Sequence, residues 1–232
     1  MITIIHGDDI AASRIYFLDK KKDRDIQILD GEKITLSDLV ESIEGSELFF
    51  LKDKALFIED FVSKRKPSKE VEEIIVYLKK SSSKIDAYLW EGKELSKKQI
   101  SQFGTAITIK TFKIPQTTFV FLDSIRPGNG KKLVQLFHQT LQTSDEEFIF
   151  YMFVRQFRLL LALSDQNSAD EIDEVKRLAP WQESKLSSQA KNFSKEKLVE
   201  IYQKIYKIDL AQKTGALSMP LSPTIDFLLL DI

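Results

Sequence analysis

The chain has 232 residues, 43% of them hydrophobic and 30% charged, with a formal net charge of −1, the make-up of an ordinary globular protein with one large core or two small ones. Near-neutrality excludes a general electrostatic attraction to nucleic acid, so any DNA contact has to come from a local patch. The absence of cysteine excludes disulfides, cysteine-ligated zinc and thiol nucleophiles.

The first half alternates strand and helix signals. Met1 leads straight into the β-branched run Ile2–His6, closed by Gly7. With no basic leader and no cleavage site, the expected compartment is the cytoplasm. Asp9–Lys20 then carries Ile10, Ile15, Phe17 and Leu18 at helical spacing, and Ile26–Leu29 is a second strand ended by Asp30-Gly31. Thr35 precedes a helix bearing Leu36, Leu39, Val40 and Ile43, with Asp38 three residues on and Gly45 as its expected end. Ala55–Ile58 is a third strand. Ser68 opens a helix through Val71, Ile74, Ile75 and Leu78. Ile85–Trp90 is a fourth strand, a short helix lies near Lys97–Phe103, and Ala106–Phe112 is a fifth strand. Such alternation predicts βαβ units and a mainly parallel sheet.

The second half has no strand pattern. It reads as helices broken at Pro127–Gly130, near Ser164–Ser168, at Pro180, at Gly215 and around Pro220–Pro223. Phe148–Leu163 is almost unbroken in apolar residues, and a helix apolar nearly all round is buried. It is too short and too charged to be a membrane span. Ser144 and Glu147 stand before it at capping-box spacing, and Ser168 with Glu171 repeats that signature. Arg155 and Arg158 interrupt the run, and buried arginine requires a partner. Leu198, Ile201, Ile205 and Ile208 mark one face of a further helix. The expected division is an α/β domain over 1–115 and an all-α domain over 116–232.

Few residues suggest chemistry. Gly7-Asp8-Asp9 stands where a phosphate loop would follow the first strand. A working loop needs glycines, a lysine and a Ser/Thr; here the run is GDDIAASR, with no lysine and two carboxylates of the wrong sign. Asp8 or Asp9 is therefore expected to cap the following helix. Leu48-Phe49-Phe50 reads either as a core edge or as an apolar anchor presented to a partner. Lys20-Lys21-Lys22 with Arg24, Lys64-Arg65-Lys66, and Lys79, Lys80 and Lys84 are basic clusters. Such runs are usually solvated faces, and a functional one would touch phosphate backbone without base specificity. Asp209 and Lys213 are spaced to pair on one helix face. His6 and His138 have no metal or triad spacing, and Asp86 and Glu91 single out no acid–base pair.

One ordered set of motifs goes further: Arg155-Gln156-Phe157-Arg158-Leu159-Leu160, Pro180-Trp181, Lys185-Leu186, Gln189-Ala190-Lys191, Phe193-Ser194, and Asp209-Leu210-Ala211-Gln212-Lys213-Thr214-Gly215. It resembles the C-terminal helical domain of the delta subunit of bacterial DNA polymerase III, the clamp-loader protein that opens the sliding clamp. The resemblance implies a Rossmann-like AAA+ core lacking the ATP-binding lysine, joined to a helical collar domain. It implies no intrinsic catalysis, no cofactor and no metal. Leu48 and Phe49, with Phe50, would be the clamp-binding residues. Arg155, Gln156, Arg158, Gln189, Lys191, Asp209 and Lys213 would belong to the collar interface, and Lys64, Arg65 and Lys66 are the DNA-backbone candidates. Implied partners are the sliding clamp (beta subunit), the gamma/tau ATPase subunits, delta-prime and primed DNA, with no membrane. The family inserts a helical lid domain after the fifth strand. Here Phe112-Lys113-Ile114-Pro115 leads almost at once into Phe119–Ile125, so that lid is expected to be missing. The alternatives left open are a nucleotide-binding enzyme and an adaptor of a different complex.

Overall fold

The computed structural model describes residues 1–22, 24–47, 54–164 and 172–232. They divide into two compact units, Met1–Ile114 and Pro115–Ile232.

In the first unit, strands β1 (Ile2–Gly7), β2 (Asp25–Asp30), β3 (Lys54–Glu59), β4 (Asp86–Trp90) and β5 (Ile107–Phe112) form a five-stranded sheet. The order is β2-β3-β4-β1-β5, and every pairing is parallel. β1 is an interior strand, between β4 and β5, and buried along its whole length, as parallel strands covered on both faces are. Side chains alternate between faces. Ile2, Ile4, Leu56, Ile58, Ala87 and Leu89 point into the larger core, and Ile5, Ala55, Phe57, Tyr88 and Trp90 into the smaller one.

Helices α2 (Leu36–Glu47) and α4 (Lys69–Ser81) close the larger core with Leu39, Ile43, Val71, Ile74, Ile75 and Leu78. Each such side chain contributes about 1.5–3 kcal/mol of burial. The smaller core has one helix, α1 (Ile10–Asp19), which inserts Phe17 edge-on against Phe57 at 5.2 Å. Two short helices, α3 (Phe61–Lys64) and α5 (Lys97–Ser101), complete the unit. α3 has no counterpart in the sequence reading, because four residues are too few to show a period.

The start signals operate as side-chain chemistry. Thr35 donates to Asp38 through its amide and hydroxyl and accepts the Asp38 amide in return. Ser68 accepts from the Val71 amide, and Ser96 with Gln99 forms a full capping box. One stop signal fails: Gly45 lies inside α2, which runs on to Glu47. β5 gives way to the next helix after residues 113–115 alone, with no helical insertion between them.

Among the described residues the second unit is all helical: α6 (Gln116–Asp123), α7 (Gly130–Thr140), α8 (Glu146–Ser164), α9 (Asp173–Lys176), α10 (Pro180–Ala190), α11 (Lys195–Lys213) and α12 (Leu221–Leu230). α8 is the axis, packed against α6, α9, α10, α11 and α12. Phe121, Phe153, Phe157 and Phe193 form a chain of ring contacts through this core, the tightest being Phe153–Phe157 at 4.9 Å. α8 nonetheless departs from an all-buried helix, since Tyr151 is 59% exposed. Its cap also differs from the expected one. The Ile149 amide bonds the Asp145 carbonyl, while the buried Ser144 hydroxyl makes no hydrogen bond among the described residues. Ser168 and Glu171 lie outside the described residues. Pro223 does not break a helix; it sits in the first turn of α12, where a missing amide hydrogen costs nothing. α11 ends as its sequence predicts. Gly215 takes φ +70, its amide bonds Gln212, and the Ala216 amide bonds Ala211, the pairing of a Schellman cap.

Candidate functional site

The first place to look for chemistry is the turn after β1, at the C-terminal edge of the sheet, where open α/β folds bind ligands. Here that turn is sealed. Gly7 has φ +148, and a Cβ at this position would stand 1.7 Å from the Phe112 carbonyl oxygen, so β1 and β5 touch too closely for any other residue. The Asp9 amide donates to that same carbonyl at 3.2 Å. Asp9 Oδ1 accepts the Ala12 amide at 2.9 Å and so caps α1, while Asp8 Oδ1 accepts the Ile114 amide at 2.9 Å. The amides of Asp9, Ala12 and Ile114 are thus committed within the chain, and both carboxylates are structural.

The rest of this edge is equally committed. Arg14 and Lys21 grip Glu59 at 2.6 and 3.2 Å. Burial works to raise the Glu59 pKa, but the two cations outweigh it and hold the carboxyl below its ordinary range. His6 is buried, with Nδ1 accepting the Leu95 amide at 3.2 Å and Nε2 3.1 Å from the Thr111 hydroxyl. Burial lowers its pKa, so it is a neutral core histidine with its proton on Nε2. His138 is remote in sequence and paired with Asp226 at 3.0 Å. Among the described residues no group of three or more His, Asp or Glu side chains could hold a metal ion.

The basic clusters are mostly engaged. Lys64 pairs with Asp60 at 2.8 Å, and Arg65 is tied to Glu70 at 2.8 Å and to the Ile34 carbonyl at 2.6 Å. Lys66 is exposed. Lys21 lies over the rings of Phe17 and Phe57, and Arg24 lies over Tyr88 while pairing with Asp86. These cations roof the smaller core as much as they face water. The apolar triplet Leu48, Phe49 and Phe50 falls between α2 and β3, outside the described residues.

In the helical unit the structure sorts the candidate interface residues into two groups. Gln156 and Gln189 face inward. Gln156 Nε2 donates to Gln189 Oε1 at 2.6 Å, and Gln189 Nε2 donates to the carbonyls of Leu122 and Ile125 at 2.8 and 3.0 Å. The pair therefore braces the end of α6 against α8 and α10. Arg155 and Arg158 are half-buried rather than buried, and both bind the single carboxylate of Glu174 on α9. Burial raises the Glu174 pKa and the two guanidinium groups more than reverse that, leaving it depressed. Lys191 is exposed at the end of α10, and Lys213 pairs with Asp209 at 2.7 Å.

Sequence reasoning missed the large apolar groups that this unit leaves in solvent. Trp181 is 66% exposed, Tyr206 and Phe227 62%, Leu230 55% and Leu210 49%. Tyr206 and Leu210 are one helical turn apart, as are Phe227 and Leu230, so each pair shares a helix face. The signal available in sequence was the surplus of large residues over what one inward stripe requires.

The chain thus joins a five-stranded parallel sheet with a closed first turn to an α8-centred helical unit that leaves apolar groups in solvent. Residues 115–230 match the family model of the DNA polymerase III delta subunit, C-terminal domain, and the chain belongs to that family. No curated protein sequence matches it. Among solved structures it is similar to the Bacillus subtilis DNA clamp loader delta protein, with TM-score 0.43 and 15% identity over 99% of this chain and 94% of that one. Among the described residues no helix is long and apolar enough to cross a membrane.

Proposed function

We propose that the protein is a delta-like clamp-loader subunit without ATPase activity, which binds the sliding clamp and favours its opened form for loading onto primed DNA. The observation that carries this reading is the family match across residues 115–230. The sealed turn at Gly7-Asp8-Asp9 supports the absence of nucleotide chemistry, since its amides and carboxylates already serve as caps. ATP would be bound by partner subunits in the cytoplasm. The work of this chain would be mechanical, and its bias on the clamp can be no larger than the difference in its affinity for the closed and open forms.

The side chains that would enter the clamp are those of Leu48 and Phe49, with Phe50 next in sequence. Assembly with the gamma/tau ATPase subunits and delta-prime falls to the helical unit. Exposed aromatic and aliphatic groups such as Tyr206, Leu210, Phe227 and Leu230 suit a packed subunit contact, with Arg155, Arg158, Lys191, Asp209 and Lys213 supplying charge. Gln156 and Gln189 are left out of that contact because they are spent inside the fold. Lys66 is the member of its cluster best placed for DNA backbone, as Lys64 and Arg65 are already paired.

Mixing the purified chain with the loader ATPase subunits and delta-prime tests the assembly. A stable complex on size-exclusion chromatography, with ATP turnover unchanged when this chain's Asp9 is replaced, is the expected result. Failure to co-elute with those subunits would assign the chain to a different complex, and ATP hydrolysis by the isolated chain would make it an enzyme.

A further inference from the structure

Glu91, which follows β4 directly, is the one carboxylate that the described fold buries completely. Among the described residues no cation forms a salt bridge with it. Its Oε1 accepts the Val62 amide and its Oε2 the Ser63 amide, each at 2.8 Å, so a residue from the end of β4 caps the free amides at the start of α3. The exchange is reciprocal. Asp60, at the end of β3, has a left-handed backbone with φ +58. Its Oδ1 accepts the Gly92 amide at 3.0 Å and the Ser63 hydroxyl at 3.1 Å. The tips of two neighbouring strands are thus cross-tied through α3 by two carboxylates.

The charges around this knot leave Glu91 exposed to protonation. Asp60 repels it, and Lys64 is committed to Asp60 at 2.8 Å. On the next strand His6 is buried and neutral, and Glu59 is held by Arg14 and Lys21. Burial, helped by Asp60, pushes the Glu91 pKa up even though its bonds to Val62 and Ser63 pull it down. The anion can accept two amides; the neutral acid has one oxygen turned donor and can serve only one of them well. α3 is also connected outward. Arg65, directly after it, lies over the ring of the buried Phe61 and bonds the Ile34 carbonyl just ahead of α2.

We propose that Glu91 is a proton-operated latch: ionised it pins α3 to the end of β4, and protonated it releases the turn and the Arg65 tie to the start of α2. The device belongs to the α/β unit itself and does not depend on the clamp reading.

The test is a residue-resolved NMR titration of the whole chain, following the Glu91 side-chain carboxyl carbon together with the hydrogen-exchange protection factors of the Val62 and Ser63 amides. The expected result is a Glu91 midpoint above the ordinary carboxylate range. Protection at Val62 and Ser63 should fall about tenfold or more across that same midpoint, the loss of a charge-assisted bond. In Glu91→Gln the step in protection should vanish, with at most one of the two amides well protected, and to the same degree at every pH. An ordinary Glu91 midpoint, or protection at Val62 and Ser63 that stays flat while Glu91 titrates in the wild type, would overturn the latch whether or not the variant folds.

Discussion

Replacing Gln189 with leucine separates two roles for a residue shared with the delta family motif. The side chain is buried, and its loss orphans two groups at once, the carbonyl of Ile125 and the side-chain amide of Gln156, while the Leu122 carbonyl keeps the Ile125 amide. Leaving a buried polar group unsatisfied costs about 1–3 kcal/mol. The leucine recovers part of this through apolar burial, so the net destabilisation is about 2–4 kcal/mol. That is a large share of the ~5–15 kcal/mol available to a domain. Urea unfolding followed by far-UV circular dichroism reads it as a lowered midpoint at constant slope. Gln156→Leu in the Gln189→Leu background should cost far less than in the wild type, because the bond it removes is already gone. A change under about 0.5 kcal/mol for Gln189→Leu, with assembly impaired instead, would refute the internal brace and return Gln189 to the subunit interface.

Four further outcomes follow from the geometry. Gly7→Ala forces a methyl group into the Phe112 carbonyl and should prevent stable folding of the first unit. Gly215→Ala meets no neighbour but still needs φ +70, so its cost by thermal melting is about 1 kcal/mol. Glu59 and Glu174 have pKa values depressed by their ion pairs. The stability they supply is therefore complete above the ordinary carboxylate range and lost as pH falls through their lower folded values. Glu91, shifted the other way, gives a term of opposite sign, so Glu174→Gln should flatten the acid limb of the stability curve and Glu91→Gln should not. Magnesium-ATP should leave the melting temperature unchanged, whereas binding at a hundredfold excess over Kd would add about 2.7 kcal/mol.

The sheet was legible because its strands carry short β-branched runs separated by capped helices, and the caps at Asp9, Thr35, Ser68 and Ser96 act through local side-chain bonds. Local chemistry of that kind depends on residues three or four apart, which a sequence displays directly. The failures are of another sort. Gly45 looks like a helix end, but nothing local stops α2 there, and the helix continues. Arg155 and Arg158 find their carboxylate on α9, 19 and 16 residues further along the chain, so Glu174 could not be singled out from spacing. Glu91 seemed one of many carboxylates near strand ends; its burial and its bonds to α3 exist only once β3 and β4 lie side by side. The inward orientation of Gln156 and Gln189 likewise required the packing of three helices. Family motif and fold brace coincide at Gln189, and the motif alone does not say which role a residue serves.

The central claim is tested most directly by the affinity of the chain for the sliding clamp, measured by surface plasmon resonance without nucleotide, for the wild type and for the Leu48→Ala/Phe49→Ala double variant. The account predicts nucleotide-independent binding by the wild type and a loss of at least a hundredfold in the variant, roughly two anchor side chains' worth of burial, with an unchanged melting temperature. Equal binding by the two proteins, or no binding by the wild type, would contradict it.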